Sequence, residues 1–211
     1  MKFVGTPWAS GTVFIDNIYF YKPPSGPSEL AGTWKMAPVG GSLGVGPTPG
    51  DVGWWNCDDT CVADRACYYD DLYVFGTDGS FVNVLGAETF IEDWQGGSFS
   101  CGAPVAPHDG SAMATYVHDE GAGTVTINGA GAYIGLQKAN NQVELPNVPV
   151  PNSITYNVKF VDSNNIDVNI DICGGVFWQY KLFRETSSSP IVGTWKMAPE
   201  AGALGVGPAV G

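Results

Sequence analysis

The chain has 211 residues, a net charge of −12 and a pI near 4.2, and only 14% of its residues are charged. That balance argues against nucleic acid, which needs clustered Lys and Arg, and against anionic membranes and strongly acidic polysaccharides. Neutral polysaccharides, divalent cations and protein neighbours remain as partners. With 29 Gly, 15 Pro and 44% hydrophobic residues, the composition is that of a turn-rich, globular all-β protein rather than a disordered one. No apolar run approaches the roughly 20 residues that span a bilayer.

In chain order, residues 1–22 read as the C-terminal strand of a preceding β domain. Val13 and Ile15 alternate there with Phe14, Asp16 and Ile18. Residues 23–29, rich in Pro and Ser, read as a linker. The next segment, LAGTWKMAPVGGSLGVGPTPG at 30–50, returns as IVGTWKMAPEAGALGVGPAVG at 191–211, with 14 of 21 positions identical at an offset of 161. A period of that size is a domain, not a solenoid unit. Residues 30–186 are therefore expected to be one complete module, 187–190 a linker, and 191–211 the opening of the next copy. Lacking partner strands of its own, that last segment is expected to dock on a neighbouring surface.

Within the module, strands dominate and helical periodicity is absent. Leu72–Phe75 and Ser80–Leu85 flank the turn Gly76-Thr77-Asp78-Gly79. Ala114–His118 and Thr124–Asn128 form a second hairpin. The third is the clearest: Ile154, Tyr156, Val158 and Phe160 alternate with polar residues, then Ile166, Val168, Ile170 and Ile172 alternate with Asp167, Asn169 and Asp171. Val176–Arg184 closes the set. Long excursions at 37–70 and 86–113 interrupt the pattern.

The cysteines are Cys57, Cys61, Cys67, Cys101 and Cys173. Their spacing fits no zinc site, so disulfides are expected. Cys67–Cys101 would tie the two excursions together, Cys57–Cys61 would be local, and Cys173 would stay free. Bridges of this kind suit a secreted or cell-surface protein.

No catalytic signature stands out. Glu88 and Glu92 are the weak alternative for a glycosidase pair. His108-Asp109 has no nucleophile elbow to serve and reads as a turn. Asp58, Asp59 and Asp64 are a weak alternative for Ca²⁺, although their spacing matches no EF-hand. No other cofactor is expected. The polar ladder Asp167, Asn169 and Asp171 reads as the wet face of a sheet. Trp54, Trp55, Tyr68, Tyr69 and Trp94 all fall in the excursions, where aromatic rings can stack on sugars. They are the candidate ligand-binding set.

The order GTWK (32–35), YVFGTDGSF (73–81), TVTING (124–129), ITYNVKF with NIDVNI (154–170) and FWQYKLFR (177–184) resembles lipocalin-like domains. The resemblance implies a closed, antiparallel, up-and-down barrel of about eight strands, with a two-sheet sandwich as the alternative. It also implies that Trp34 of the opening Gly-x-Trp packs under Arg184 of the last strand. Residues 11–21 resemble the closing strand of jelly-roll carbohydrate-binding modules. The phrases GALGVGP, WQGG and CGAPVAPHDGSA look like those of modules in secreted polysaccharide-degrading and adhesive bacterial proteins. The resulting expectation is a non-catalytic glycan-binding or spacer module of a multidomain carbohydrate-active protein. The alternatives are a glycoside hydrolase fragment and a lipocalin-type carrier of a small apolar ligand.

Overall fold

The structure, a computed structural model, describes residues 28–185. The expected strand at 11–21, both linkers except residues 28 and 29, and the segment 191–211 lie outside the described residues.

Eight antiparallel strands close into a barrel. They are β1 (Gly32–Met36), β4 (Leu72–Phe75), β5 (Ser80–Val84), β8 (Ala114–Asp119), β9 (Thr124–Asn128), β10 (Ser153–Phe160), β11 (Asn165–Asp171) and β12 (Phe177–Arg184), each hydrogen-bonded to the next. Pairing of β12 with β1 closes the ring and opposes Trp34 to Arg184. Closure leaves the barrel ladder without a free edge, so the sandwich alternative is set aside.

Period-2 alternation explains the wall. Trp34, Met36, Tyr73, Phe75, Phe81, Val125, Ile127, Tyr156, Val168, Ile170, Tyr180 and Leu182 point inward and are buried, while most residues between them are exposed or half-buried. Gln179, buried under the first excursion, accepts from Gly50 N. On the outer face, Asp167 lies opposite Lys159 on one side and Lys181 on the other, and the Asn157 amide donates to Asn169 Oδ1 at 2.9 Å.

The last strand is shared. Leu182–Arg184 pair with β1, whereas Phe177–Tyr180 pair with β2 (Leu43–Gly46), which carries β3 (Trp55–Asn56) on its far side. The strands β1 and β2 are thus two lengths of one barrel edge. The chain between them loops out at Lys181, whose carbonyl accepts from Ala37 N and whose N–H donates to Ser42 O.

The first excursion also holds two short helices, α1 (Asp59–Asp64) and α2 (Ala66–Tyr69), which correct the expectation of a helix-free module. Asp58 caps α1 by accepting from Cys61 N at 2.9 Å. The second excursion is a small hairpin of β6 (Thr89–Ile91) and β7 (Ser100–Gly102). Disulfides Cys57–Cys61 and Cys67–Cys101 are formed as expected, and Cys173 is free and exposed.

Residues 129–152 form a third excursion that strand patterning does not reveal. They enter the barrel as a plug. The Asn83 amide donates to Tyr133 O at 2.9 Å, Tyr133 N donates back to Asn83 Oδ1, and Ile134 N donates to the Tyr156 hydroxyl at 2.9 Å. Gly135 has φ +77°, and a Cβ there would strike the ring of Tyr180. Tyr133, Ile134 and Leu136 occupy the interior that a lipocalin-type carrier would keep for its ligand.

Candidate ligand site at the barrel mouth

The plug, the β3 edge, the helix pair and the β6–β7 hairpin meet where β12 begins. They enclose a pocket of about 360 Å³ lined by Trp55, Arg65, Glu92, Phe99, Leu136, Lys138 and Trp178. Its size lies within the usual range for small-molecule sites, about 300–1,000 Å³. Trp55 comes from β3, Arg65 from the junction of α1 and α2, Glu92 and Phe99 from the β6–β7 connection, and Leu136 and Lys138 from the plug, while alternation places Trp178 inward near the start of β12.

Aromatic rings form the frame. Trp55 and Trp178 pack edge to face with centroids 6.0 Å apart. Phe99, immediately before β7, packs edge to face on Phe90 at 5.0 Å and is 52% exposed. Its φ of +53° is a left-handed conformation that only the surrounding structure holds in place.

Charged groups line one wall. Lys138 Nζ lies 3.4 Å from Glu92 Oε1 and 3.5 Å from Glu144 Oε2, and sits over the Trp178 ring at 5.1 Å. Glu144 Oε1 accepts from Trp178 Nε1 at 2.6 Å, and Glu92 Oε2 accepts from Trp94 Nε1 at 2.9 Å. The network fixes the Trp178 ring and leaves no carboxylate of the pair idle. Arg65 stands on the other wall, its guanidinium 4.1 Å from the Phe90 centroid, 5.0 Å from Phe99 and 5.8 Å from Trp55.

Of the five aromatics read as ligand-binding, the structure brings Trp55 to the pocket. Trp54 is exposed beside it but does not line it. Trp94 stands behind Glu92, against His108 at 5.7 Å. Tyr68 and Tyr69 are a correction: both are buried in the core. The Cys67–Cys101 bridge pins α2 to the β6–β7 hairpin, and the two rings gain burial by turning inward, edge to face at 5.4 Å.

Glu88 and Glu92 line different pockets, Glu88 beside Asp70 and Val84 and Glu92 at the mouth. The structure does not bring the two into one pocket. Asp58 caps α1, and Asp59 Oδ1 accepts from Gly40 N at 2.9 Å. Among the described residues, no three His, Cys, Asp or Glu side chains gather as a metal site. Asp109 accepts from the Ser111 N–H and hydroxyl, as the turn reading expects, and is held below its usual range by these bonds. His108 is buried between Trp94 and Tyr133, and burial pushes it down to about 4.

Behind the mouth lies a polar interior. The hydroxyls of Tyr68, Tyr73, Tyr133 and Tyr180 and Asp71 Oδ1 have no hydrogen-bond partner among the described residues. Asp71 Oδ2 accepts from Thr89 at 2.6 Å, and burial raises its carboxyl to about 8. It is therefore protonated at neutral pH and able to donate.

Sequence reading missed Arg65, Phe99, Leu136, Lys138 and Trp178. Two signals were present. Lys138 is the sole Lys or Arg between Arg65 and Lys159, and Phe99 is a lone large aromatic just after Gly96-Gly97. No helix among the described residues is long and apolar enough to cross a membrane. Compared with known proteins, the chain matches no protein-family model and no curated protein.

Proposed function

We propose that this is a non-catalytic, extracellular carbohydrate-binding module, related to lipocalin-like barrels but with its interior plugged and its site at the mouth. The observation that carries the reading is the pocket itself. Trp55, Trp178 and Phe99 present ring surface, while Lys138, Glu92 and Arg65 stand close enough to meet sugar hydroxyls. Sugars are bound by just this mixture, because their C–H faces gain from aromatic burial and their hydroxyls need donors and acceptors. Two disulfides suit an oxidising compartment, and the repeated opening sequence suits a tandem arrangement in a multidomain polysaccharide-active or adhesive protein.

The test is affinity electrophoresis and calorimetry of the full chain against a panel of soluble polysaccharides. Trp55→Ala should weaken binding by about tenfold or more, as removal of a central aromatic anchor does. A panel in which nothing is bound would leave only the spacer role.

A further inference from the structure

Six Lys or Arg residues lie among the described residues: Lys35, Arg65, Lys138, Lys159, Lys181 and Arg184. Two of them reach the mouth pocket, and they are treated differently. Lys138 holds both carboxylates, Glu92 and Glu144. Arg65 is 8% exposed, yet its side chain forms no ion pair and no hydrogen bond with any described residue. The residue is buried as a whole, but none of its side-chain nitrogens is a buried unpartnered atom, so its N–H groups open on the pocket rather than on protein acceptors.

The surroundings hold this group rather than neutralise it. Phe90, Phe99 and Trp55 surround the guanidinium at 4.1, 5.0 and 5.8 Å. Ring contacts of this kind steady the cation without using its donors. Those donors lie in the guanidinium plane, in the fork that fits two oxygens of a carboxylate or sulfate. Arg65 sits between α1 and α2, with Cys61–Cys57 on one side and Cys67–Cys101 on the other, so two disulfides fix the backbone that carries it.

We infer that Arg65 is an oxyanion subsite, and that the mouth pocket takes a sugar bearing a carboxylate or a sulfate ester. The anionic group meets Arg65, and the ring lies against Trp55 and Phe99. This rests on the sugar-binding reading above and names its substrate class. The net charge of −12 does not forbid it. At physiological ionic strength charges more than about 8 Å away are largely screened, and the nearby carboxylates Glu92 and Glu144 are held by Lys138 on the opposite wall. The chemistry selects an anionic substituent on an otherwise neutral sugar surface.

The test uses the full chain, calorimetry, and NMR of the Arg65 Nε–H signal. The probes are inorganic sulfate, a galacturonan tetrasaccharide with a single free carboxyl and its full methyl ester, and a singly sulfated galactan tetrasaccharide and its desulfated form. At least one anionic sugar should bind about tenfold or more tighter than its neutral counterpart, a step of about 1.4 kcal/mol. Which pair shows the step tells carboxylate from sulfate. Arg65→Met should abolish the preference, bringing the affinities for each anionic sugar and its neutral counterpart to within about twofold of each other. Should that variant fold poorly, the wild-type Nε–H signal still reports, since sulfate must shift it. Equal binding of neutral and anionic sugars overturns the subsite and leaves the sugar reading standing. A sulfate-induced shift with no sugar bound keeps the subsite and overturns the sugar reading. No shift and no binding overturns both.

Discussion

Two arginines lie against aromatic rings near opposite ends of β12, and they have been given opposite surroundings. Arg184 sits 4.2 Å from the Trp34 ring centroid and donates to the carbonyls of Ala31 at 2.7 Å, Glu29 at 2.8 Å and Ser163 at 3.1 Å. Arg65 sits 4.1 Å from the Phe90 ring and donates to none of the described residues. The stacking is alike and the hydrogen bonding is not. The ring contact therefore says only that a guanidinium is held close to an aromatic face. Its donors tell a fastener from a group left ready for something else.

The seam around Trp34 should break most severely. Trp34 is fully buried, and its indole Nε1–H donates to Leu30 O at 2.7 Å. Trp34→Ala removes that ring from the junction of β1 and β12 and should cost about 3–5 kcal/mol in urea unfolding. An unchanged midpoint would mean that the barrel does not depend on its closing seam.

At the mouth the corresponding fastener is covalent. The Cys67–Cys101 bridge spans 34 residues, and the chain-entropy model gives it about 3–4 kcal/mol. The double variant Cys67→Ser with Cys101→Ser should lose about that much and free α2 from the β6–β7 hairpin. Hydrogen exchange should then rise in residues 59–70 and 89–102 while the β10–β12 amides stay protected. A uniform rise would show that mouth and wall unfold as one unit.

The third effect separates the two arginines directly. Arg184→Met leaves the ring contact with Trp34 but strips three carbonyls of a charged donor, so a cost of about 1.5–3 kcal/mol is expected from thermal or urea unfolding.

How far these regions could be read from the sequence follows the same divide. Alternation at 154–160 and 166–172 fixed two strands and their inward faces, and turn signals placed the hairpins at 72–85 and 114–128 within a residue or two. These are local patterns. The plug at 129–152 was not legible, because its backbone groups are satisfied by Asn83 and the Tyr156 hydroxyl, partners about 50 and 22 residues away, and it has no period of its own. Helices α1 and α2, of six and four residues, are too short to show one. In the site, Trp55 stood out as a loop aromatic, but nothing local distinguished it from Tyr68 and Tyr69, which the disulfide turns into the core. Trp178 was hidden within a strand that already had a reason for being apolar.

The mouth end also holds ionisable groups whose charged forms burial disfavours, and these should shape stability against pH. Asp71 titrates near 3.9 when unfolded and at about 8 when folded. Between those values the unfolded chain holds fewer protons, so stability falls as pH rises. His108 titrates near 6.5 unfolded and at about 4 folded, so its contribution rises with pH over that interval. At the other end of the barrel, beside Ser28 and Phe160, the half-buried His118 is also lowered by burial and leans the same way. From pH 4 to 6.5 the opposing slopes largely cancel. From 6.5 to 8 only Asp71 remains, at up to about 1.4 kcal/mol per pH unit, a loss of about 2 kcal/mol across the window. Asp71→Asn, which keeps an acceptor for Thr89, should flatten that decline. If stability rises from pH 6.5 to 8 in the wild type, Asp71 is not the neutral group its burial makes it.

The smallest change in stability is expected at Arg65, and it is the sharpest test of the comparison. Arg65→Met retains a long, flexible side chain that can lie against Phe90 and Phe99, and it removes a partly dehydrated cation that has no acceptor among the described residues. What it forfeits is the ring attraction, about 0.5–2 kcal/mol. What it relieves is the desolvation of the charge, which in buried sites is several kcal/mol before compensation. The pocket leaves part of the guanidinium wet, so the two should come close to balance, and a net change within about 1 kcal/mol of zero is expected. Set beside Arg184→Met, the same substitution on the same kind of stacked arginine should therefore be costly at the seam and nearly neutral at the mouth. Equal losses at both positions would mean that Arg65 is a fastener after all, and that its free donors have no special meaning.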